Sequence, residues 1–169
     1  MTTAAAPVTL ASEGESARRA LDVARIAALG VLGDRETAAD VAQEVALRAV
    51  RRRHTLRDPS AFDAWVRRIA IRAALKEAER GRRRRRAETE HAAQNAGRRS
   101  PAPDEPRLAE ALAALAGLPP RQRAAVTLRY VHDLSDAEIA RALRCRRGTV
   151  RSLLSRGREA VRLNLEEDA

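Results

Sequence analysis

The stretch Ser135-Asp136-Ala137-Glu138 constrains the fold more tightly than any other part of the chain. A Ser followed three residues later by a Glu is a reciprocal helix start: the hydroxyl accepts from the Glu amide while the carboxylate reaches back to the Ser amide. The helix it opens is short, with Ile139, Ala140 and Leu143 as its expected inward face. Arg144-Cys145-Arg146 is then a turn too tight to leave the next helix parallel. Upstream, Pro119 and Pro120 stop whatever precedes them, and Pro120 suits the first turn of a helix, where its missing N–H loses no partner. Ala125, Leu128 and Leu134, with Val126 and Tyr130 beside them, are expected to form that helix's buried stripe. Val150, Leu154, Gly157 and Val161 recur at steps of four, three and four, which is one face of an α-helix. Together these signals predict a helix-turn-helix within Leu118 to Val161.

The opposite face of the last helix is polar and basic. Arg147, Thr149, Arg151, Ser152, Ser155 and Arg158 are donor-rich side chains on a helix slender enough for the major groove, where Arg pairs bidentately with guanine. A like-charged face gains nothing in water without a polyanion opposite it. The formal net charge of +10 points the same way and makes nucleic acid the first partner to test.

Composition also excludes several classes. No apolar run approaches the ~20 residues that span a bilayer, and the first residues lack the basic start and apolar core of a signal peptide, so the expected location is cytoplasmic, with no membrane partner. The single cysteine rules out an internal disulfide, and Cys145 with three scattered histidines has no metal-ligand spacing, so neither metal nor cofactor is expected. Cys145 reads as a small apolar plug in its turn. No Gly-rich phosphate loop, nucleophile elbow or carboxylate pair is present; the chain is expected not to be an enzyme, and no catalytic residue is assigned.

The upstream half reads as helices with polar stripes. Residues 1–15 are Ala/Thr-rich without a period and are expected to be a disordered lead-in. Leu21, Ala24, Ala28 and Val31 predict a helix from Ser16 to Leu32, ended by Gly33-Asp34. Thr37 is the expected cap of the next helix, with Asp40 as the acidic member of the box. Val41, Val45 and Ala49 face inward there, and Asp40, Gln43, Glu44 and Arg48 line the outside. Ser60 with Asp63 marks a third start, after which Phe62, Val66, Ile69, Ala70 and Ala73 point one way. On the other side Arg68, Arg72, Lys76 and Arg80 stand at successive i,i+4 positions, where like charges repel, and such a stripe wants an anion. Arg82 to Arg86 read as a flexible phosphate-binding arm. Residues 87–106 have linker composition, with three prolines among Ala, Asn, Gly and Ser. Leu108, Ala111, Leu112 and Leu115 add a helix ahead of the helix-turn-helix. The predicted fold is all-α: two small helical domains, 16–86 and 107–165, joined by a flexible linker, the second a helix-turn-helix domain.

Two stretches together resemble the extracytoplasmic-function group of sigma-70 type RNA polymerase sigma factors. Asp40-Val41-Ala42-Gln43-Glu44-Val45 through Ala49 resembles the D-x-x-Q-E-x-x-x-R-A signature, and Phe62-Asp63-Ala64-Trp65-Val66-Arg67-Arg68-Ile69-Ala70 resembles the F-x-x-W-L-x-x-I-A helix. Leu118 to Arg123, Leu134 to Ala140 and Gly148 to Ser152 resemble the promoter-reading domain. The resemblance implies that Asp40, Gln43, Glu44 and Arg48 dock on the clamp helices of the polymerase largest subunit. It implies that Arg68, Arg72, Lys76 and Arg80 meet the downstream promoter element, and that Arg147, Thr149, Arg151, Ser152 and Ser155 read the upstream one. Core RNA polymerase, through its clamp helices and flap, and promoter DNA are the implied partners, with an anti-sigma protein as a further one and a monomer when free. Departures from the pattern are Ala46 and Val50, where aromatics are common, Arg72 for a frequent Asn, Arg146 for the usual Ser cap, and Leu153 for a usual Arg. A polymerase-independent helix-turn-helix regulator, or an adaptor that binds polymerase without melting DNA, are the competing readings; the first would need a dimer seam that the sequence lacks.

Overall fold

The computed structural model describes residues 12–91, 115 and 117–167, with side chains for 12–86, 115 and 117–162. Among the described residues the regular structure is helical: α1 (Glu13–Leu32), α2 (Arg35–Arg52), two short 3-10 turns (Arg53–Thr55 and Pro59–Ala61), α3 (Phe62–His91), α4 (Pro120–Tyr130), α5 (Asp136–Leu143) and α6 (Arg147–Glu167). The expected disordered lead-in lies mostly outside the described residues, and the expected helix at Leu108 to Leu115 lies outside them except at Leu115.

α1 is the element on which the fold turns. It packs on α2 and α3 within the first unit, and its last turn also meets α4 of the second. Its buried face is small: Ser16, Ala20, Ala24, Ala27, Ala28, Gly30 and Val31. Small residues let helix axes approach closely, so the core of this unit is filled mainly by Ala38, Ala42, Ala46, Ala49, Ala70 and Ala74 around Val45, Phe62, Val66 and Ile71. At the other end of α1, Arg19 grips Asp63 through two bonds of 2.6 and 2.9 Å and ties the start of α3 to α1.

Several helix limits differ from the sequence expectation. α1 starts at Glu13, earlier than Ser16, because the Ser12 hydroxyl accepts from the Glu15 amide at 3.1 Å. It ends as expected, with Gly33 in the left-handed region at φ 71°. α2 is capped by Asp34 and not by Thr37; the Asp34 carboxylate accepts the Thr37 amide at 2.9 Å, which starts the helix three residues sooner. Asp58, not Ser60, caps the turn ahead of α3, accepting the Ser60 amide at 2.9 Å. Arg82 to Arg86 are not a free arm in this structure: α3 continues through them to His91. Glu79 bonds both Arg82 and Arg83 one turn on, and Glu77 pairs with Arg80 at 3.4 Å, so opposite charges at i,i+3 and i,i+4 offset the repulsion within the run.

The second unit follows the sequence reading closely. The capping box at Ser135 and Glu138 is complete, with Ser135 N donating to Glu138 Oε2 at 2.9 Å and Glu138 N donating to Ser135 Oγ at 3.4 Å. Ile139, Ala140, Ala142 and Leu143 of α5 are buried, as are Val150 and Leu154 of α6. Gly157 lets α6 lie against α4: a Cβ there would come within 2.6 Å of Val126 Cγ2. Cys145 packs at the edge of the core, in the turn it was expected to fill.

α4 departs from expectation in which residues it buries. Tyr130 is 60% exposed, whereas Arg123 and Thr127 are buried. The reason is that α4 has two buried sides, one on its own unit and one on the first unit. On the second side the neighbours are backbone carbonyls, which select polar side chains.

Candidate functional site

The outer face of α2 presents Asp40, Gln43, Glu44 and Arg48, all exposed, while Val41, Ala42, Val45, Ala46 and Ala49 face inward. Glu44 and Arg48 form the expected i,i+4 pair. The sequence reading missed Leu47, which stands 62% exposed on the same face. It follows Gln43 by four positions and Glu44 by three, so the face is an apolar anchor ringed by charge. An exposed Leu flanked by polar residues at helical spacing was the available signal. Ala46 is buried, so the smaller residue there thins the core and leaves the outer face unchanged.

The stripe on α3 divides. Lys76 and Arg80 are exposed, whereas Arg68 and Arg72 are half-buried. The Arg72 guanidinium turns toward the second unit, where Nε donates to the Ala142 carbonyl at 3.3 Å and Nη2 to the Arg141 carbonyl at 3.1 Å. These are carbonyls at the C-terminal end of α5, which carries partial negative charge. Burial, then repulsion from Arg144 and Arg68, pushes the Arg72 pKa below its ordinary value. Arg72 therefore does not share an open face with Lys76 and Arg80 in this arrangement.

On α6, Arg147, Thr149, Arg151, Ser152 and Ser155 are all exposed. The burial of Val150, Leu154 and Gly157 opposite them fixes their direction. Asp136 at the start of α5 bonds Arg129 of α4 and accepts from Arg151 Nε at 3.4 Å, so it supports one arginine of the exposed α6 face from behind. Ser152 Oγ donates to the Gly148 carbonyl at 3.2 Å and keeps its acceptor lone pairs outward. Beside this face lies an open groove lined by Arg141, Arg144, Arg146 and Arg147 with Ala137, Ala140 and Cys145. Arg144 holds the left-handed conformation, φ 51°, that closes α5. Among the described residues no group of His, Cys, Asp and Glu could hold a metal ion, and no helix is long and apolar enough to cross a membrane.

The two basic faces and the acidic-to-polar α2 face thus lie on separate helices of a two-part, all-helical body. Comparison with known proteins gives that arrangement a family. Residues 17–86 match the model of sigma-70 region 2, and residues 108–161 match that of sigma-70 region 4. The chain is 35% identical over 144 residues to the RNA polymerase sigma-H factor of Pseudomonas aeruginosa, covering 76% of this chain and 72% of that protein. It is 36% identical over 138 residues to the ECF RNA polymerase sigma factor SigE of Mycolicibacterium smegmatis, covering 77% of this chain but only 52% of that longer protein. Its fold matches, with a TM-score of 0.69 and 24% identity over 89% of this chain and 94% of the other, the sigma factor RpoE solved in complex with the anti-sigma factor NepR from Bartonella quintana. The chain belongs to the sigma-70 family of RNA polymerase sigma factors, in its extracytoplasmic-function group.

Proposed function

We propose that this sigma factor performs its promoter-specificity role through three separate surfaces. The exposed α2 face of Asp40, Gln43, Glu44, Leu47 and Arg48 docks on the clamp helices of core RNA polymerase. Arg68, Arg72, Lys76 and Arg80 of α3 engage the downstream promoter element. Arg147, Thr149, Arg151, Ser152 and Ser155 of α6 read the upstream element in duplex DNA. The protein supplies no catalytic group of its own; it directs the polymerase. It works in the cytoplasm, where polymerase and promoter are. The anti-sigma factor bound to the RpoE relative keeps a protein inhibitor among the proposed partners.

The observation that carries this reading is the two-sidedness of α6: five donor-bearing side chains exposed on one face, with Val150, Leu154 and Gly157 packed on the other. The test is transcription with purified core polymerase on a genomic fragment library, sequencing the RNA 5′ ends. Starts clustered behind one shared upstream element, lost when the chain is omitted, are the expected result. In the same assay Arg151→Ala should relax preference at one upstream position, a loss of about 1–3 kcal/mol for a bidentate base contact. An equal loss on every sequence would make Arg151 a phosphate contact instead.

A further inference from the structure

The groove between α5 and the start of α6 gathers four guanidiniums, those of Arg141, Arg144, Arg146 and Arg147, around Ala140 and Cys145. Its volume of about 900 Å³ lies within the range of small-molecule clefts. All four arginines are exposed, and among the described residues none of them is in an ion pair. The carboxylates of α5 are engaged elsewhere: Asp136 holds Arg129 and Arg151, and Glu138 closes its box with Ser135. Glu138 feels the charge of Arg141 without bonding it. Behind the groove, at the seam between the two units, Arg72 of α3 adds a fifth positive charge on the Arg141 and Ala142 carbonyls, where burial and then the charge of Arg144 lower its pKa. The start of α6 adds donors. Arg146 stands where a helix start takes an acceptor such as Ser, and a guanidinium only donates. The first bond of α6 runs from Val150 N to Arg146 O at 3.2 Å, so the amides of Arg147, Gly148 and Thr149 have no intrahelical acceptor. A Cβ on Gly148 would meet nothing within 4 Å, so this start is uncovered.

We propose that this groove binds a soluble polyphosphate, a compact chain of joined phosphoryl groups, and that the bound anion shuts α6 off from the upstream element. A single phosphoryl group brings about two negative charges and three acceptor oxygens, so four uncompensated guanidiniums call for roughly two or more joined groups. A DNA strand strings one charge per phosphate along its length, about 3.4 Å of axis apart, and offers a concave groove fewer charges at once. Each guanidinium presents donors in a planar fork that matches the oxygens of phosphate. Arg147 belongs both to the groove and to the exposed face of α6. A bound chain therefore withdraws one of the DNA donors and sets negative charge beside the others. The shut-off rests on the promoter reading of α6; the binding itself does not. Free inorganic polyphosphate and the phosphate chain of a nucleotide share this chemistry, and they differ in whether a base also reaches the apolar side of the groove.

The test is calorimetric titration of inorganic tripolyphosphate into the full chain, at fixed ionic strength and without nucleic acid. One anion per chain should bind, about tenfold or more tighter than orthophosphate. Arg144→Asn keeps a residue that tolerates the left-handed conformation at the end of α5, and Arg146→Ser restores an acceptor cap to α6. Each should weaken tripolyphosphate about tenfold, the loss of one charge-assisted contact, with helix content intact. Arg84→Gln or Arg86→Gln, which takes the same charge from α3, should leave the affinity unchanged. An equal loss in these variants would make the binding a diffuse effect of net charge and overturns the site, as does tripolyphosphate binding no tighter than orthophosphate. ATP in place of tripolyphosphate identifies the source: tighter binding marks a nucleotide, and weaker binding a free chain. Saturating tripolyphosphate should also release a dye-labelled duplex bearing the upstream element, at a concentration where orthophosphate does not. Unhindered duplex binding by the loaded chain overturns the shut-off. A chain that binds tripolyphosphate yet prefers no duplex would sink the promoter reading, and the shut-off with it, while the groove would stand as the anion site.

Discussion

In the first unit the buried contacts are made largely by alanine on long helices; in the second they are made by branched residues on mostly short ones. α1, α2 and α3 run for 20, 18 and 30 residues, against 11 and 8 for α4 and α5. A long helix collects many small contacts along its length, so the first unit tolerates modest side chains. The second unit has such length only in α6. It relies on Leu128, Ile139, Leu143, Val150 and Leu154, on the Ser135 box, and on Arg123 and Thr127 reaching the first unit's carbonyls. The residues proposed to dock on polymerase therefore sit mid-helix on a self-sufficient scaffold, and the helix proposed to read the promoter sits on a unit whose stability is partly borrowed.

The hardest blow to that contrast is Phe62→Ala. Phe62 is 1% exposed and is the largest fully buried side chain in a core made mainly of alanine, so truncation should cost about 3–5 kcal/mol. Urea unfolding followed by helix content and by Trp65 fluorescence should show both units losing stability together. If the second unit melted where it does in the parent, it would not be leaning on the first. Ser135→Ala is the next test, with an expected loss of about 1 kcal/mol from the missing cap. Its effect should fall on the second unit, and hydrogen exchange should rise in α5 while α1 and α2 stay protected. Equal loosening in α2 would mean that the units unfold as one body.

The smallest effect concerns acid. His132, between α4 and α5, has its pKa lowered to about 4, first by burial and then by the nearby Arg67 of α3; Arg67 also acts on Glu138. The unfolded chain takes up this proton near the ordinary value of 6.5, whereas the folded one refuses it until about pH 4. The contribution is thus complete above pH 6.5 and falls as pH drops from there toward 4. With solvent screening of a partly buried ring, about 1 kcal/mol is at stake. Thermal unfolding from pH 7.5 to 5 should therefore decline less steeply in His132→Gln than in the parent.

Local signals in the sequence were sufficient where a residue's partner lay within a turn of it and no rival signal stood beside it. The Ser135 box, the Pro120 start, the Gly33 stop and the inward lines of α2 and α6 could all be read directly. The true starts of α1 and α2 were hidden because Ser12 and Asp34 compete with equally good caps, Ser16 and Thr37, a few residues on. The continuation of α3 through its arginines depended on Glu77 and Glu79 being correctly phased, which a charge count does not weigh. The seam was not readable at all. Arg123 and Thr127 look like solvent residues until the end of α1 supplies carbonyls for them, and Arg72 looks like part of an open stripe until α5 does. The exposed surfaces proposed as sites were legible as stripes; Leu47 was passed over because a lone exposed leucine is ordinary.

α3 has one more consequence, and it concerns reach. At 1.5 Å of rise per residue, a helix of this length extends about 45 Å, several times the Debye length of about 8 Å at physiological salt. Arginines at its far end project their field into solvent that the body of the protein leaves unscreened. They act as an antenna, raising the frequency of encounters with a polyanion before any specific contact forms, and the association rate should fall steeply with added salt.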